Sequence, residues 1–271
     1  MDWSHLRSFL DRRVRDGVIR RAIGKWLNAG VMEDGVVYHP ERGTPQGGVI
    51  SPMISNLYLH EVLDMWFEHE VKPRLRGRAF EVRFADDAAL VFEREEDARR
   101  VLAVLAKRFA KYGLRLHPEK TRLVDFRSPP RTGRSSSQGE RSFDLLGFIH
   151  IWGRSRKGRW VVQRKTAKDR FTRALREIGR WCRAHRHWSV PAQQVALSRK
   201  LQGHFAYYGI TGNARALARF LYEVRRLWHK WLSRRSWHAR MTWEKFVRLT
   251  ERYPLPPPRV VHSVYRRAAT P

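Results

Sequence analysis

Two aspartates stand side by side at positions 86 and 87, within Phe84-Ala85-Asp86-Asp87. Neighbouring carboxylates are hard oxygen donors that can hold Mg²⁺, with Mn²⁺ as an alternative ion, against a phosphate, the central requirement of nucleotidyl transfer. Asp86 and Asp87 are therefore the candidate metal ligands and catalytic residues. Successive strand residues point to opposite faces, so Asp86 is expected to ligate directly and Asp87 partly or through a hydrogen bond. Taken alone, Asp-Asp equally suits a turn, where aspartate side chains bond their own backbone.

The elements that must position this pair can be read outward from it. Phe80, Val82 and Phe84 alternate with Glu81 and Arg83 as a half-buried strand does, and Ala88 to Phe92 is a second short apolar run. The two predict a hairpin with the acids at its bend. Ala98, Val101, Leu102, Leu105, Phe109 and Tyr112 then mark one face of a helix with acids at its start, Lys107, Arg108 and Lys111 near its end, and Gly113 as its stop. Upstream, residues 5–28 read as helical with breaks near Gly17 and Gly24, and 31–40 suit a short strand. The Gly-rich run Arg42-Gly43-Thr44-Pro45-Gln46-Gly47-Gly48 reads as a loop feeding an apolar helix over about 53–70, opened by Ser51-Pro52. Downstream, Leu114 to Phe126 is expected as a strand interrupted at His117-Pro118-Glu119-Lys120. Residues 128–142 read as a mobile loop. Phe143 to Ile151 and Trp160 to Gln163 suggest another hairpin, and the rest is helical.

Charge separates the chain into two characters. Lys and Arg number 55 against 26 Asp and Glu, a formal +29 on 271 residues, far more than solubility requires, so a polyanionic partner is expected. Residues 1–130 hold 23 basic and 19 acidic residues, whereas 131–271 hold 32 and 7. Arg173, Arg176, Arg180 and Arg183 recur at helical spacing opposite Leu175, Ile178 and Cys182. Arg215, Arg219, Arg226, Lys230 and Arg234 likewise oppose Leu217, Phe220, Leu221, Val224, Leu227 and Trp231. These two stripes are the candidate RNA-binding residues. Arginine pairs with phosphate through a planar fork and stacks on bases, and eight of the 11 tryptophans lie beyond residue 150.

A single cysteine, Cys182, excludes an internal disulfide and every zinc site built on paired cysteines. No apolar run reaches the length of a membrane span and no signal peptide opens the chain, so a cytoplasmic protein with no membrane partner is expected. His185 and His187, on a basic helix, read as polar surface groups.

Four segments in order carry a resemblance: Thr44-Pro45-Gln46-Gly47-Gly48 through Leu59, Phe84-Ala85-Asp86-Asp87, Leu116-His117-Pro118-Glu119-Lys120-Thr121, and Leu145-Leu146-Gly147-Phe148. They closely resemble successive motifs of group II intron reverse transcriptase/maturases. Past residue 160, Gly203-His204-Phe205-Ala206-Tyr207-Tyr208-Gly209 and Arg225-Arg226-Leu227-Trp228 look like that family's thumb and RNA-binding maturase region. The resemblance implies an α+β fold: a partial polymerase palm, an antiparallel sheet with packed helices, over 1–164, then an all-α basic thumb/maturase domain over 165–252 and a Pro-rich extended tail over 253–271. It implies RNA-directed DNA synthesis with Mg²⁺ at Asp86 and Asp87. Gln46, Gly47, Gly48 and Phe84 would lie beside the incoming deoxynucleoside triphosphate, and Lys120 would be a general acid toward departing pyrophosphate, against its reading as an ordinary exposed lysine. The implied partners are intron RNA, an RNA template and a DNA primer.

The family's first catalytic aspartate lies on a strand before the segment resembling Met1-Asp2-Trp3-Ser4-His5-Leu6, together with the fingers. The chain is therefore expected to be nearly inactive in polymerisation alone and to need an N-terminal fragment of the same polymerase. A non-catalytic RNA-binding maturase fragment and a degenerate mobile-element remnant are the competing expectations.

Overall fold

The computed structural model describes residues 2–28, 31–33, 36–38, 50–129, 141–155, 157–236 and 241–263. The fold is α+β, and the chain condenses into two units, Met1–Leu123 and Val124–Pro271, each around its own apolar core. The meander described below thus belongs to the second unit, ahead of the change to wholly helical character near residue 165.

In the first unit, α1 (Trp3–Arg13) starts where the Asp2 carboxylate accepts a hydrogen bond from the Ser4 amide at 2.8 Å. Asp16 does the same for α2 (Gly17–Asn28), accepting from the amides of Val18 and Ile19. The break falls at residues 14–16. Helix α2 runs through Gly24 without interruption, because Ile23 and Leu27 anchor its apolar face in the core and nothing crowds Gly24. Strands β1 (Val31–Glu33) and β2 (Val36–Tyr38) form a small hairpin where one strand was expected. Helix α3 (Ser51–Leu59) has Pro52 in its first turn and continues through π-helical segments, His60–Asp64 and Phe67–Val71, to a 3₁₀ turn, Lys72–Arg74.

Strands β3 (Ala79–Phe84) and β4 (Asp87–Phe92) pair antiparallel from Ala79↔Phe92 to Phe84↔Asp87. Helix α4 (Glu95–Lys111) buries Ala98, Val101, Leu105 and Phe109, has three acids in its first turn, and ends before Gly113 at φ +66°. Buried Asp97 accepts from the amides of Arg76 and Gly77, both at 3.0 Å, and so pins the entry to β3. Leu6, Phe9, Ile54, Tyr58, Val62, Phe67 and Val101 close the core between these elements. The expected strand over 114–126 does not form: the segment holds only a turn at 118–120 within irregular chain, for Pro118 cannot donate to a ladder.

The second unit opens with a three-stranded meander of β5 (Ser142–Leu145), β6 (Phe148–Arg154) and β7 (Trp160–Thr166). What reads as one strand over 143–151 is two, folded at Leu146-Gly147, both with positive φ (51° and 74°) as a tight hairpin turn demands. Of the segment expected as a mobile loop, 130–140 lie outside the described residues and Ser142 already belongs to β5. Helices α5 (Lys168–Ala184), α6 (Val190–Tyr208), α7 (Ala214–Leu232) and α8 (Trp243–Arg252) pack around Leu197, Leu201, Phe205, Leu217, Phe220, Val224, Trp228 and Phe246. Buried Gln193 donates to the carbonyls of His185, Arg186 and Trp188 and accepts from Trp228 Nε1 at 2.8 Å.

Residues of the tail after α8 return to the end of α6, where the amides of Val261 and His262 donate to the Gly209 carbonyl at 2.7 and 2.9 Å. A Cβ at 209 would lie 2.6 Å from the Arg259 carbonyl oxygen, so only glycine admits this approach.

Candidate functional site

Ala85 and Asp86 form the two-residue turn between β3 and β4, and Phe84 and Asp87 are the pair that closes it. Asp86 is therefore a turn residue, and the strand alternation used to assign it a direction does not apply. The Ala85 backbone is left-handed, with φ +53°. For a residue with a Cβ this costs about 1 to 3 kcal/mol, so the surroundings must hold the turn in place.

The hairpin faces the other way from its apolar pattern. Phe80, Val82, Phe84 and Val91 are 58%, 53%, 67% and 52% exposed. The charged residues between them, Glu81 and Arg83, turn inward. Arg83 Nε and Nη2 donate to the two carboxylate oxygens of Asp64, both at 2.6 Å, in a bidentate pair. Its Nη1 donates to Asn56 Oδ1 at 3.0 Å and to the Ala85 carbonyl at 2.8 Å. His60 Nδ1 lies 2.9 Å from Asp64 Oδ2, the oxygen that also accepts from Arg83 Nη2. A half-buried polar network takes the place of the apolar face that the spacing promised.

The charges of this network tune one another. Burial opposes ionisation of Asp64, but its hydrogen bonds with Arg83 and His60 outweigh that and hold its carboxyl below the ordinary range. Burial pushes the Glu81 carboxyl up to about 7, and the negative charge of Asp64 adds to the rise. Alternation marks Glu81 and Arg83 only as the polar set of a half-buried strand, and nothing local to that strand points to Asn56, His60 and Asp64. The available signal was the four-residue spacing of His60 and Asp64 on a helix, opposite a strand carrying alternate charges.

The side chains of Asp86 and Asp87 are exposed and make no ion pair among the described residues. They offer hard oxygen donors at the tip of a turn, and Mg²⁺ is commonly held by one or two carboxylates together with substrate phosphates and water, so the donor set fits such an ion. Among the described residues no cluster of three or more His, Cys, Asp or Glu side chains could hold a metal. Phe84 shares the outer face with Asp87. Lys120 lies in an exposed turn and makes no hydrogen bond or ion pair among the described residues. Gln46, Gly47 and Gly48 lie outside the described residues.

In the second unit both basic stripes are exposed along their whole length. Arg173, Arg176, Arg180 and Arg183 project from α5, and Arg215, Arg219, Arg226, Lys230 and Arg234 from α7 and its C-terminal end. The two helices pack closely, with Phe171 edge-on to Phe220 and Gly179 beside Leu227. The apolar face of α7 centres on Leu217, Phe220, Val224 and Trp228, and Trp231, expected on it, stands at its margin. There Arg183, Lys230 and Arg234 surround the Trp231 ring at 5.9, 5.7 and 5.4 Å from its centroid, which gathers cations of both stripes on one aromatic surface. Arg180 and Arg226 are paired within their helices, to Glu177 and Glu223. Arg173, Arg176 and Arg215 have no ion pair among the described residues.

A turn carrying two carboxylates on an antiparallel hairpin, flanked by α3 and α4, is the arrangement expected of a polymerase palm, and the family comparison agrees. Residues 7–150 match the reverse transcriptase (RNA-dependent DNA polymerase) family, and the chain belongs to it. The chain is similar to the group II intron-encoded protein LtrA of Lactococcus lactis subsp. cremoris, at 30% identity over 118 residues, 40% of this chain and 20% of LtrA. It is also similar to an uncharacterized 91 kDa protein in the cob intron of Schizosaccharomyces pombe, at 36% identity over 62 residues, 23% of this chain and 8% of that protein. The aligned segments thus span a fifth or less of the curated relatives. Among the described residues no helix is long and apolar enough to cross a membrane.

Proposed function

We propose that this chain supplies the metal-binding turn and the RNA-gripping helices of a group II intron reverse transcriptase that also acts as a maturase, assisting splicing of the intron RNA. The observation that carries this reading is the exposed Ala85-Asp86 turn with Asp87 at its foot, in the segment that matches the reverse transcriptase family. Its substrates would be an RNA template, a DNA primer and deoxynucleoside triphosphates. Asp86 and Asp87 would hold Mg²⁺, or Mn²⁺ in its place. When bound, such an ion polarises a phosphoryl oxygen and offsets charge on the departing pyrophosphate.

The protein's own groups do the rest. The Phe84 ring offers a flat apolar surface beside the acids, Gln46, Gly47 and Gly48 would flank the nucleotide, and Lys120 would donate a proton to pyrophosphate. The stripes on α5 and α7 would hold phosphodiester backbone, foremost through Arg173, Arg176 and Arg215, which have no ion pair among the described residues. Two-metal phosphoryl transfer places its ions about 3.5 to 4 Å apart, which calls for more donors than one pair of adjacent acids. The 271-residue chain is therefore expected to synthesise little DNA by itself.

Mn²⁺ binding followed by electron paramagnetic resonance tests the turn: Asp86→Asn should abolish it while leaving RNA affinity nearly intact. Retained Mn²⁺ binding would remove Asp86 from the site, and measurable primer extension by the chain alone would overturn its expected inactivity. The crowding of 32 basic against 7 acidic residues after position 130 favours a second reading, an RNA-binding maturase function that needs no metal. On that reading RNA affinity persists in chelator and falls steeply with salt. Salt-independent association would count against the stripes.

A further inference from the structure

The Arg83 side chain is only 13% exposed, and every nitrogen of its guanidinium group is engaged. Asp64 fixes two of them from α3's π-helical continuation, so the orientation of the fork is set by a rigid element. The third nitrogen then reaches along its own strand to the Ala85 carbonyl, two residues on. That carbonyl belongs to the peptide linking Ala85 to Asp86, in the one left-handed residue of the turn. Holding the peptide plane therefore fixes where the Asp86 backbone starts.

We infer that Arg83 is the positioning residue of the turn: braced by Asp64, it holds the left-handed Ala85 peptide and thereby sets the two carboxylates for a divalent cation. The inference rests on the reading of Asp86 and Asp87 as metal ligands. A lysine cannot replace Arg83, because a single ammonium group cannot be bidentate to Asp64 and reach Ala85 in the same geometry.

The test uses the full chain, Mn²⁺ as the probe, and two readouts: Mn²⁺ affinity from water-proton relaxation, and exchange broadening of the Ala85, Asp86 and Asp87 amides by nuclear magnetic resonance. Arg83→Lys should weaken Mn²⁺ about tenfold, the lower end of what loss of a supporting hydrogen bond does to a metal site, and should broaden those amides. Adding Ala85→Gly should recover most of the affinity, since glycine adopts positive φ without being held. A role limited to anchoring the hairpin on the helix would give no such rescue. Unchanged amides and affinity in Arg83→Lys, or a loss that glycine does not reverse, would overturn the inference. Should Arg83→Lys fail to fold, the isosteric Asp64→Asn loosens the same brace and is judged by the same two readouts. If the wild-type chain binds no Mn²⁺, the metal reading fails, and the amide broadening still decides what Arg83 holds.

Discussion

Asp86 and Asp87 sit on a two-stranded hairpin whose outer face is open, whereas Arg173, Arg176 and Arg215 project from helices laid over Phe220, Val224 and Trp228, none of them measurably exposed. The two regions manage charge differently. The acids converge on one turn and depend on a few hydrogen bonds, so their function is sensitive to the placement of a single peptide. The cations are spread along α5 and α7 on a shared apolar core, so no single one matters much. Concentrated charge needs position, and distributed charge needs only a durable scaffold.

Breaking the scaffold should produce the largest effect. Trp228→Ala removes a fully buried ring and leaves buried Gln193 without its indole donor, and should destabilise the second unit by about 3 to 5 kcal/mol in urea unfolding. A cost below about 1 kcal/mol would contradict the core assignment.

The next effect concerns the acid side and depends on pH. Burial raises Glu81 to about 7, above its ordinary 4.5, so the protonated form is favoured in the fold. Its contribution is complete below about pH 4.5 and is lost as the pH rises to about 7. The first unit should weaken by about 1 to 2 kcal/mol across that window, and Glu81→Gln should flatten the profile. Urea unfolding of both proteins from pH 4.5 to 8 measures it, and identical profiles would show that Glu81 ionises normally.

Smaller differences should separate the cations from one another. Arg173→Ala and Arg176→Ala should each weaken RNA binding by about 1 kcal/mol and lower the salt slope by roughly one. Arg180→Ala and Arg226→Ala should cost less, because Glu177 and Glu223 already neutralise part of their charge. Fluorescence anisotropy at several salt concentrations would rank them. Smallest of all, Phe80→Ser should change stability by less than about 0.5 kcal/mol, since this ring is mostly exposed on the hairpin. A large loss would mean that the outer face is covered.

The hairpin, the α4 stripe and both basic faces could be read from the sequence because each follows a simple period and ends at a turn residue. Gly113 and the Leu146-Gly147 bend illustrate the limit: the first reads as a stop, while the second is hidden inside an apolar run because Leu146 is an unusual residue at positive φ. The inward turn of Glu81 and Arg83 is not legible in the strand taken alone. Alternation says that two faces differ, but which face is covered depends on Asp64 and Asn56, far away in sequence. Trp228 and Trp231 raise the same difficulty, since a three-residue step on a helix moves a ring from the center of a face to its margin.

Cys182 is 1% exposed, and burial pushes its thiol up to about 12, so at neutral pH it is neither accessible nor ionised. Being the only cysteine in the sequence, it leaves the molecule silent toward maleimide reagents in its native state. A reporter dye or spin label could therefore be installed through one new surface cysteine, on the hairpin or on either cationic helix, without first removing a native thiol.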